Sequence, residues 1–516
     1  MRLITLLLAA SLRLIPAPVE FTPMEGPSVP LFEQVRLNKK AFRKAVADLE
    51  PWQQQEAYRI TIGKVLRIEA LTEEGLFRAR TTLEQLSEMA GWHMQGDVYV
   101  RNPLPCGVIF DYPRFSHRGL MIDESRSFKG LDFLKKQIDA MALLKMNVLH
   151  LHLDDSAGWR IAIDRYPRLT SETAWRIGYR YIDWEQANYA FAREGDPDAY
   201  GGYYTKEDLR EIVAYAAERY ITVIPEIEMP GHSMEVGYAY PEVTCQNPDG
   251  TPFRGSWDLC PGSEATFKLM EGVLSEVMEI FPGPYIHIGG DEATMKTWGG
   301  CPKCRARMEA EGYTDVHELQ GYLVRRIEAF VQSHGRRIIG WDEILETGVP
   351  EGAVVQSWRG TSGGIKASSA GYDVIMSPNS HCYFDYYQDL IRKEPKAVGT
   401  LTSLHHCYKY EPVAEGMDPS HVLGLQANLW CEWVPTPEHA EYMLYPRLFA
   451  IAERGWSPSE VRDYDSFRAR AERLLALLKS RGYNGFDMES ESELARSGFQ
   501  RFEQLEQYKK EHGLAD

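Results

Sequence analysis

The chain has 516 residues, of which 44% are hydrophobic and 25% are charged, as is typical of a soluble globular protein with two or three domains. Its formal net charge of -17 at pH 7 argues against nucleic acid as a partner, because a phosphate backbone requires a basic face. No stretch approaches the ~18 apolar residues of a membrane span, so the sequence also argues against an integral membrane protein.

The N-terminus, residues 1–12, resembles a short secretory signal, with one early arginine, an apolar run and small residues at Ala9 to Ser11. Arg13 interrupts the pattern, and a buried first strand is the alternative. We expect export to the periplasm or the extracellular space, while a cytoplasmic location stays open.

Residues 13–110 predict a small α+β domain. The stretch AYRITIGKVLRIEA alternates apolar and polar side chains as strands do, and GLFRARTTLEQLSEMA places Leu76, Leu83 and Leu86 at helical spacing. The proline-rich stretch RNPLPCGVIFDYPRFSHRG then marks the crossing into a second unit.

Residues 111–458 alternate short apolar runs with helical patterns, which predicts an α/β fold, a (β/α)8 TIM barrel. The eight predicted strands are RGLMID, NVLHLHL, TVIPEIE, YIHIGG, RIIGWDE, AVVQSW, DVIMSP and VLGLQANLW. A doubly wound open sheet is the second choice, but no glycine-rich phosphate fingerprint follows any of these runs. The charged, helical pattern of residues 459–516 predicts a C-terminal helical extension.

A barrel of this kind carries its functional groups at the carboxyl ends of its strands. Polar and aromatic side chains follow all eight predicted strands, among them Asp123, Arg126, His150, His152, Asp154, Asp155, Glu226, Glu228, His232, Asp291, Glu292, Trp341, Trp358, Tyr383, Asp385, Trp430 and Glu432. Carboxylates among tryptophans favour glycoside hydrolysis, because a carboxylic acid protonates the leaving oxygen and an indole face stacks on a sugar ring. A metal-dependent hydrolase is the alternative, in which His150 and His152, facing the same way from one strand, hold zinc with His232 and an aspartate.

Six motifs occur in the order found in one enzyme family: PRFSHRGLMIDESRSF, NVLHLHLDDSAGWR, PEIEMPGHS, HIGGDEA, GWDEIL and QANLWCEW. From about Pro113 to Trp456 the chain therefore resembles family 20 of the glycoside hydrolases, the β-N-acetylhexosaminidases. The N-terminal unit, from LIPAPVEF onward, resembles the small domain of the same family. The resemblance implies an exo-acting enzyme that removes terminal β-linked GlcNAc or GalNAc from an oligosaccharide or glycoconjugate and requires no cofactor.

The resemblance also implies how the adjacent acids divide the work. Glu292 is the general acid, while Asp291 holds the N–H of the substrate's own 2-acetamido group, whose carbonyl oxygen attacks C1. Tyr383 hydrogen-bonds that acetamide oxygen. Because like charges repel, we expect the charge of Asp291 to keep Glu292 protonated.

The other site residues follow from the same resemblance. Asp155 and His232 orient and tune the general acid, and Arg126 grips the 3- and 4-hydroxyls of the terminal sugar. Three tryptophans wall the pocket, and two acids contact the outer hydroxyls: Trp341, Trp358 and Trp430, and Asp385 and Glu432.

Two positions depart from the family pattern. Where the family commonly has TDDQGWR, this chain has LDDSAGWR, so Asp155 takes the key position in an alignment without a gap and Asp154 takes it if the register slips by one. Glu228 stands where aspartate is usual, and its extra methylene must be accommodated.

Four of the eight cysteines flank the HIGGDEA motif: Cys245, Cys260, Cys301 and Cys304. The CPKC spacing is that of half a zinc knuckle, whereas export would favour two disulfides. We therefore expect either a structural zinc ion or disulfides at this cluster, away from the chemistry.

Other readings stay open. A lacto-N-biosidase-like enzyme would release a disaccharide, and the insert RYIDWEQANYAFAREGDPDAYGG is the loop expected to set the depth of the pocket. A catalytically silent sugar-binding protein would keep the tryptophans but would not need both Asp291 and Glu292. The preferred sugar, the natural glycan and the oligomeric state are left open by the sequence.

Overall fold

The structure is a computed structural model that describes residues 12–28, 33–37, 39–90, 92–95, 98–253, 257–390 and 394–497. The predicted secretory signal therefore lies outside the described residues except for Leu12, and so does the end of the predicted C-terminal extension. Leu12 and Leu14 are buried in the hydrophobic core of the N-terminal domain. None of the described helices is both long and apolar enough to cross a membrane.

A five-stranded sheet forms the N-terminal domain. In spatial order its strands are Glu20–Ser28, Leu104–Asp111, Tyr58–Ile62, Leu66–Ala70 and Glu33–Leu37. Helix Glu73–Ala90 packs on the sheet through Leu76, Leu83 and Leu86, as their helical spacing predicts. Leu104–Asp111, within the stretch predicted as the crossing, forms the second strand of this sheet, and the next strand of the chain, His117–Asp123, belongs to the barrel. The remaining elements of the domain are Lys40–Ala45, Pro51–Glu56, Trp92–Gln95 and Val98–Arg101.

Eight parallel strands close into a barrel, which confirms the predicted fold class. Numbered β1 to β8 in chain order, they are His117–Asp123, Val148–His152, Thr222–Glu226, Tyr285–His287, Arg337–Trp341, Val354–Ser357, Asp373–Met376 and Val422–Leu429. Each coincides with one of the eight predicted runs. Strands β1 and β2 are buried along their whole length, because their side chains alternately fill the barrel and meet the surrounding helices.

Helices connect most of the barrel strands. The helices between the barrel strands and after the last strand include Leu131–Leu143, Lys206–Ala217, Glu264–Ile280, Glu318–Ser333, Ser362–Ser369, Leu404–Lys409, Pro437–Leu444, Arg447–Trp456, Tyr464–Ser480 and Glu493–Ser497. Between β5 and β6 the described chain has a 3-10 helix, Asp342–Glu346, in place of an α-helix. Smaller elements lie in the loops: Arg168–Thr173, Trp175–Ile177, Tyr181–Gln186, Phe191–Ala192, Ala199–Gly201, Met234–Ala239, Pro241–Val243, Trp298–Gly300, Pro302–Glu311, Asn379–Cys382, Tyr386–Tyr387, Val398–Leu401 and Pro419–His421.

Asp111, at the end of the N-terminal sheet, ties that domain to the barrel. Its fully buried carboxylate accepts hydrogen bonds from the Lys145 ammonium at 2.8 Å and from the Trp456 indole N–H at 2.9 Å. It also accepts the backbone N–H of Val19 at 3.0 Å. One carboxylate thus joins the residue before strand Glu20–Ser28, the turn after helix Leu131–Leu143 and the end of helix Arg447–Trp456.

Asp111→Asn should lower the free energy of unfolding by about 3 kcal/mol, because it leaves Lys145 buried without a counter-charge. The matched control is Asp139→Asn, since Asp139 pairs with Arg219 on the surface and its side chain is 48% exposed. Loss of that pair should cost less than about 1 kcal/mol. Urea unfolding measures both, and equal losses in the two variants would contradict the importance given to Asp111.

Candidate active site

A cavity of about 230 Å³ opens at the carboxyl ends of the barrel strands. Its lining residues are Arg126, His232, Asp291, Glu292, Trp358, Tyr383, Asp385, Tyr386, Val398, Trp430 and Glu432. Nine of the eleven predicted site residues are among them; Asp155 and Trp341 lie behind the lining. Drug-sized ligands use pockets of about 300–1,000 Å³, so this volume suits one sugar residue rather than a chain of them.

A larger cavity of about 510 Å³ lies elsewhere, between the N-terminal domain and the barrel. It is lined by residues such as Ser116, Asn147 and Thr222, which stand at or just before the amino ends of β1, β2 and β3. The functional groups of a barrel of this kind lie at the opposite end. The smaller cavity is therefore the candidate site.

The chain leaves β4 through a sharp turn that separates the two adjacent acids. Gly289, Gly290 and Glu292 have φ of +65°, +92° and +47°, in the left-handed region that favours glycine. The Asp291 side chain is consequently only 12% exposed, whereas the Glu292 side chain is 59% exposed. Two carboxyl groups that are neighbours in sequence thus occupy different surroundings.

Gly289 also makes room for the unusual Glu228. A Cβ at Gly289 would lie 1.8 Å from the Glu228 Oε2, so the extra methylene of Glu228 is accommodated by the missing side chain. Burial, and then the charge of Asp291, raise the pKa of Glu228 well above its usual range. Glu228 therefore stands beside Asp291 as a neutral carboxyl group.

Asp155 is the hub of the site's ion pairs. Its Oδ1 accepts the Nδ1–H of His232 at 2.9 Å, and its Oδ2 lies 2.9 Å from the His152 Nε2 and pairs with the Arg126 guanidinium. Burial alone would raise its pKa, but Arg126, His232 and His152 outweigh burial and lower the pKa well below the usual range. Asp154 instead accepts the backbone N–H of Glu228 at 3.0 Å, so the gap-free register is the one that pairs an aspartate with His232.

His232 faces both acids of the turn that follows β4. Its Nε2 lies 3.4 Å from the Glu292 Oε2 and 3.6 Å from the Asp291 Oδ2. Burial opposes protonation of His232, but Asp155, Glu292 and Asp291 outweigh it and raise its pKa well above the usual range.

The pKa shifts of the two adjacent acids run opposite to the predicted direction. The His232 imidazole, 3.4 Å from the carboxylate, lowers the pKa of Glu292, and burial raises the pKa of Asp291. At Glu292 the nearby imidazole of His232, on the loop after β3, determines the direction of the shift.

Glu226 fills the centre of the barrel below this hub. It accepts the Trp341 indole N–H at 2.8 Å, and its oxygens lie 3.0 Å from the His150 Nε2 and 2.9 Å from the His287 Nδ1; it also pairs with His152. His150, His152 and Trp341 thus support the floor of the site. His232 belongs to neither carboxylate–histidine cluster of this floor, so the predicted metal set of His150, His152 and His232 is not brought together.

Aromatic rings form the walls of the cavity. Trp358 lies nearly parallel to Tyr383, with ring centroids 6.0 Å apart, and donates its indole N–H to Glu343 at 2.9 Å. The guanidinium of Arg126 lies 5.0 Å from the ring centroid of Trp430. Trp341, only 1% exposed, packs behind Trp430 at 5.9 Å instead of lining the cavity.

Several buried polar atoms at the cavity have no hydrogen-bond partner within the described part of the protein. They are Arg126 Nε, His232 Nε2, Asp291 Oδ1, Asp385 Oδ1 and Glu432 Oε2. Buried polar groups are normally hydrogen-bonded, and these five belong to residues that line a cavity. Their arrangement fits a ligand that carries several hydroxyl groups and an N–H.

The structure adds site residues that the sequence did not single out. Tyr386 and Val398 complete the lining, and no spacing pattern marks either of them. Tyr181, in the insert expected to set pocket depth, lies close enough to Arg126, Asp155 and Glu432 for their charges to act on its pKa, which burial raises above the usual range. The insert therefore does reach the edge of the site.

The family model of the glycosyl hydrolase family 20 catalytic domain matches residues 115–459. The chain belongs to glycosyl hydrolase family 20. A beta-hexosaminidase of Porphyromonas gingivalis is 41% identical over 419 residues, which are 80% of this chain and 52% of that protein. A beta-hexosaminidase of Vibrio furnissii is 38% identical over 417 residues, which are 78% of this chain and 66% of that protein.

The chain thus spans between half and two thirds of the length of these two family 20 relatives. Its fold is similar to the crystal structure of a family 20 exo-β-N-acetylglucosaminidase from Vibrio harveyi in complex with N-acetylglucosamine. The TM-score is 0.78 at 28% identity, with 92% of this chain and 78% of that chain covered.

Asp155→Asn should move the alkaline limb of the kcat/KM profile to higher pH. The substitution removes a charge that keeps His232 protonated, and a neutral His232 no longer lowers the pKa of Glu292. The pKa of Glu292 then rises, so the protonated acid persists to higher pH, while the maximum rate falls. The profile is measured on an aryl β-N-acetylglucosaminide.

Asp154→Asn is the matched control for this pH profile. Burial raises the pKa of Asp154 well above its usual range, so the carboxyl group is already neutral, and asparagine can still accept the Glu228 N–H. The alkaline limb of the kcat/KM profile of Asp154→Asn should therefore stay at the pH of the wild type. A shift in Asp154→Asn with none in Asp155→Asn would contradict the assigned register.

Proposed function

We propose that this protein is an exo-acting β-N-acetylhexosaminidase that removes terminal β-linked GlcNAc or GalNAc by a retaining, substrate-assisted mechanism. The observation that carries the proposal is the pairing of a buried Asp291 with an exposed Glu292, both facing His232 at the edge of a cavity for one sugar residue. Membership of family 20 and the names of the relatives support the same activity.

In the first step the glycosidic bond breaks and the substrate supplies the nucleophile. Glu292 gives its proton to the leaving oxygen, while the acetamide oxygen bonds to C1 and forms an oxazolinium ring. Asp291 Oδ1, which has no hydrogen-bond partner within the described residues, accepts the acetamide N–H and stabilises the positive charge. Burial raises the pKa of Tyr383, so its hydroxyl stays neutral and donates to the acetamide oxygen.

In the second step water opens the oxazolinium ring. Glu292, now a carboxylate, takes a proton from the water as the water oxygen bonds to C1 on the face that the leaving group occupied. The acetamide is restored, and the configuration at C1 is retained. His232 is the partner of Glu292 in both steps, and Asp155 fixes the orientation of its ring.

The remaining lining residues hold the sugar. Arg126, Asp385 and Glu432 bring hydrogen-bonding groups for the hydroxyls, and Trp358 and Trp430 offer flat apolar faces to the ring. A bound substrate also covers Glu292, and this loss of water raises the pKa of the acid toward the range that proton donation requires. The volume of about 230 Å³ favours release of a monosaccharide over the disaccharide of a lacto-N-biosidase-like enzyme.

The chemistry requires no metal, and we propose that the four clustered cysteines bind a structural zinc ion. Cys304 Sγ lies 3.7 Å from Cys245 Sγ and 3.5 Å from Cys260 Sγ, and Cys260 Sγ lies 3.8 Å from Cys301 Sγ. A tetrahedron with zinc–sulfur bonds of about 2.3 Å has edges of about 3.8 Å. Near-equal separations suit one central ion better than two disulfides, which would bring sulfurs to about 2 Å in pairs.

The substrate-assisted mechanism predicts a strong requirement for the acetamido group. An aryl β-N-acetylglucosaminide should be hydrolysed at least about a thousandfold faster, in kcat/KM, than the matching aryl β-glucoside, because the glucoside lacks the nucleophile. The comparison uses one enzyme preparation and one leaving group. Comparable rates would mean that the protein supplies its own nucleophile, and the proposal would fail.

A further inference from the structure

The four cysteines join the two loops that carry the acid and its partner. Cys245 and Cys260 lie in the loop after β3, which begins with the segment of His232. Cys301 and Cys304 lie in the segment after β4, which begins with Asp291 and Glu292. All four cysteines are fully buried.

The loop after β3 transmits the position of the cysteines to His232 through backbone hydrogen bonds. Thr244 and Leu259, which precede Cys245 and Cys260, form an antiparallel bridge. The Leu259 N–H donates to the Pro230 carbonyl at 2.8 Å, and the Ser233 N–H donates to the Trp257 carbonyl at 3.0 Å. The residues on both sides of His232 are thus bonded to the segment 257–260, which ends at Cys260.

Asp258, in the same segment 257–260, forms hydrogen bonds to the turn that carries Glu292. Its carboxylate, 2% exposed, accepts the Met295 N–H and the Thr294 hydroxyl, both at 2.7 Å, and the Thr294 N–H at 3.2 Å. The Trp298 indole N–H donates to the Leu259 carbonyl at 3.1 Å. Asp258 is a positioning residue, since it acts on the backbone just after Glu292.

The two loops also touch directly at Gly231. A Cβ there would lie 2.6 Å from the Asp291 carbonyl oxygen and 3.2 Å from the Ala293 N. The backbones of the His232 segment and the Glu292 segment are therefore in close contact at Gly231. The 3.4 Å distance from His232 Nε2 to Glu292 Oε2 therefore depends on how firmly the two loops are held together.

The apolar packing around the two loops is a small cluster. Its fully buried members are the four cysteines, Trp298 and Leu319, and Phe253, Ala293, Met295, Met308 and Tyr313 pack against them partly buried. A zinc ion bound by four thiolates contributes folding energy outright, which so few apolar side chains cannot replace.

We infer that a zinc ion bound by these four cysteines clamps the loops after β3 and β4 together and so positions the general acid, Glu292. Turnover then depends on a metal that takes no part in bond breaking. The inference rests on the proposed function. Arg126, Asp385, Trp358 and Glu432, which hold the sugar, come from other strands. Loss of the ion should therefore lower kcat and leave KM nearly unchanged.

The test compares the wild type with Cys301→Ser, and Cys106→Ser serves as the matched control because Cys106 lies in the N-terminal sheet. Zinc content is measured by elemental analysis. Activity is measured on N,N′-diacetylchitobiose, whose sugar leaving group needs protonation, and on 2,4-dinitrophenyl β-N-acetylglucosaminide, whose leaving group does not. A change in folding alone would lower both activities alike.

The wild type and Cys106→Ser should hold about one zinc ion per chain, and Cys301→Ser should hold none. In Cys301→Ser, kcat on the disaccharide should fall about tenfold or more, while kcat on the dinitrophenyl substrate should change by less than about threefold. If Cys301→Ser fails to fold, zinc is removed from the wild type with a chelator. The kcat on the disaccharide should then fall much more than the kcat on the dinitrophenyl substrate, and added zinc should restore it.

An active wild type without zinc, or with two disulfides, overturns the clamp and leaves the proposed function standing. Equal losses of kcat on both substrates, or a zinc-free protein with unchanged kcat, overturn it as well. A wild type that cleaves neither substrate overturns the proposed function instead, and with it the role given to the clamp.

Discussion

The site depends on one buried charge, the carboxylate of Asp155. It binds His232, His152 and Arg126 at once, so the histidine beside Glu292, the barrel floor and the arginine of the cavity lining are all oriented by the same group. The three cations lower its pKa well below the usual range, which keeps the charge in place at any physiological pH. Because it lies behind the cavity and not in its lining, Asp155 can serve the reaction without touching the sugar.

A second constraint acts through the backbone. The left-handed turn from Gly289 to Glu292 places one acid inside and the next outside, which is what a mechanism with two different tasks requires. Glu228 occupies the space that Gly289 leaves, and it stays neutral next to Asp291. The loop after β3 then brings His232 to both acids, so that the reacting groups come from two loops and their relative position matters as much as their identity.

Much of this arrangement could be predicted from the sequence. All eight barrel strands follow from apolar runs, and the polar residues at their ends point to one face because parallel strands share a direction. Three features could not be predicted, for physical reasons. The direction of the Glu292 pKa shift depends on a histidine sixty residues away in the chain, the burial of Trp341 depends on its hydrogen bond to Glu226, and the lining by Tyr386 and Val398 comes from a loop without a pattern. The strand Leu104–Asp111 was not predicted because the stretch around it is rich in proline, which favours a crossing between domains.

The most direct test of the central claim uses substrates whose acetamido group carries zero, one, two or three fluorine atoms. Fluorine withdraws electrons and weakens the amide oxygen as a nucleophile, while the sugar and the leaving group stay the same. The substrate-assisted mechanism predicts that kcat/KM falls steadily and steeply with each fluorine, because the amide oxygen held by Asp291 and Tyr383 attacks C1. A flat series would contradict it, since the nucleophile would then belong to the protein.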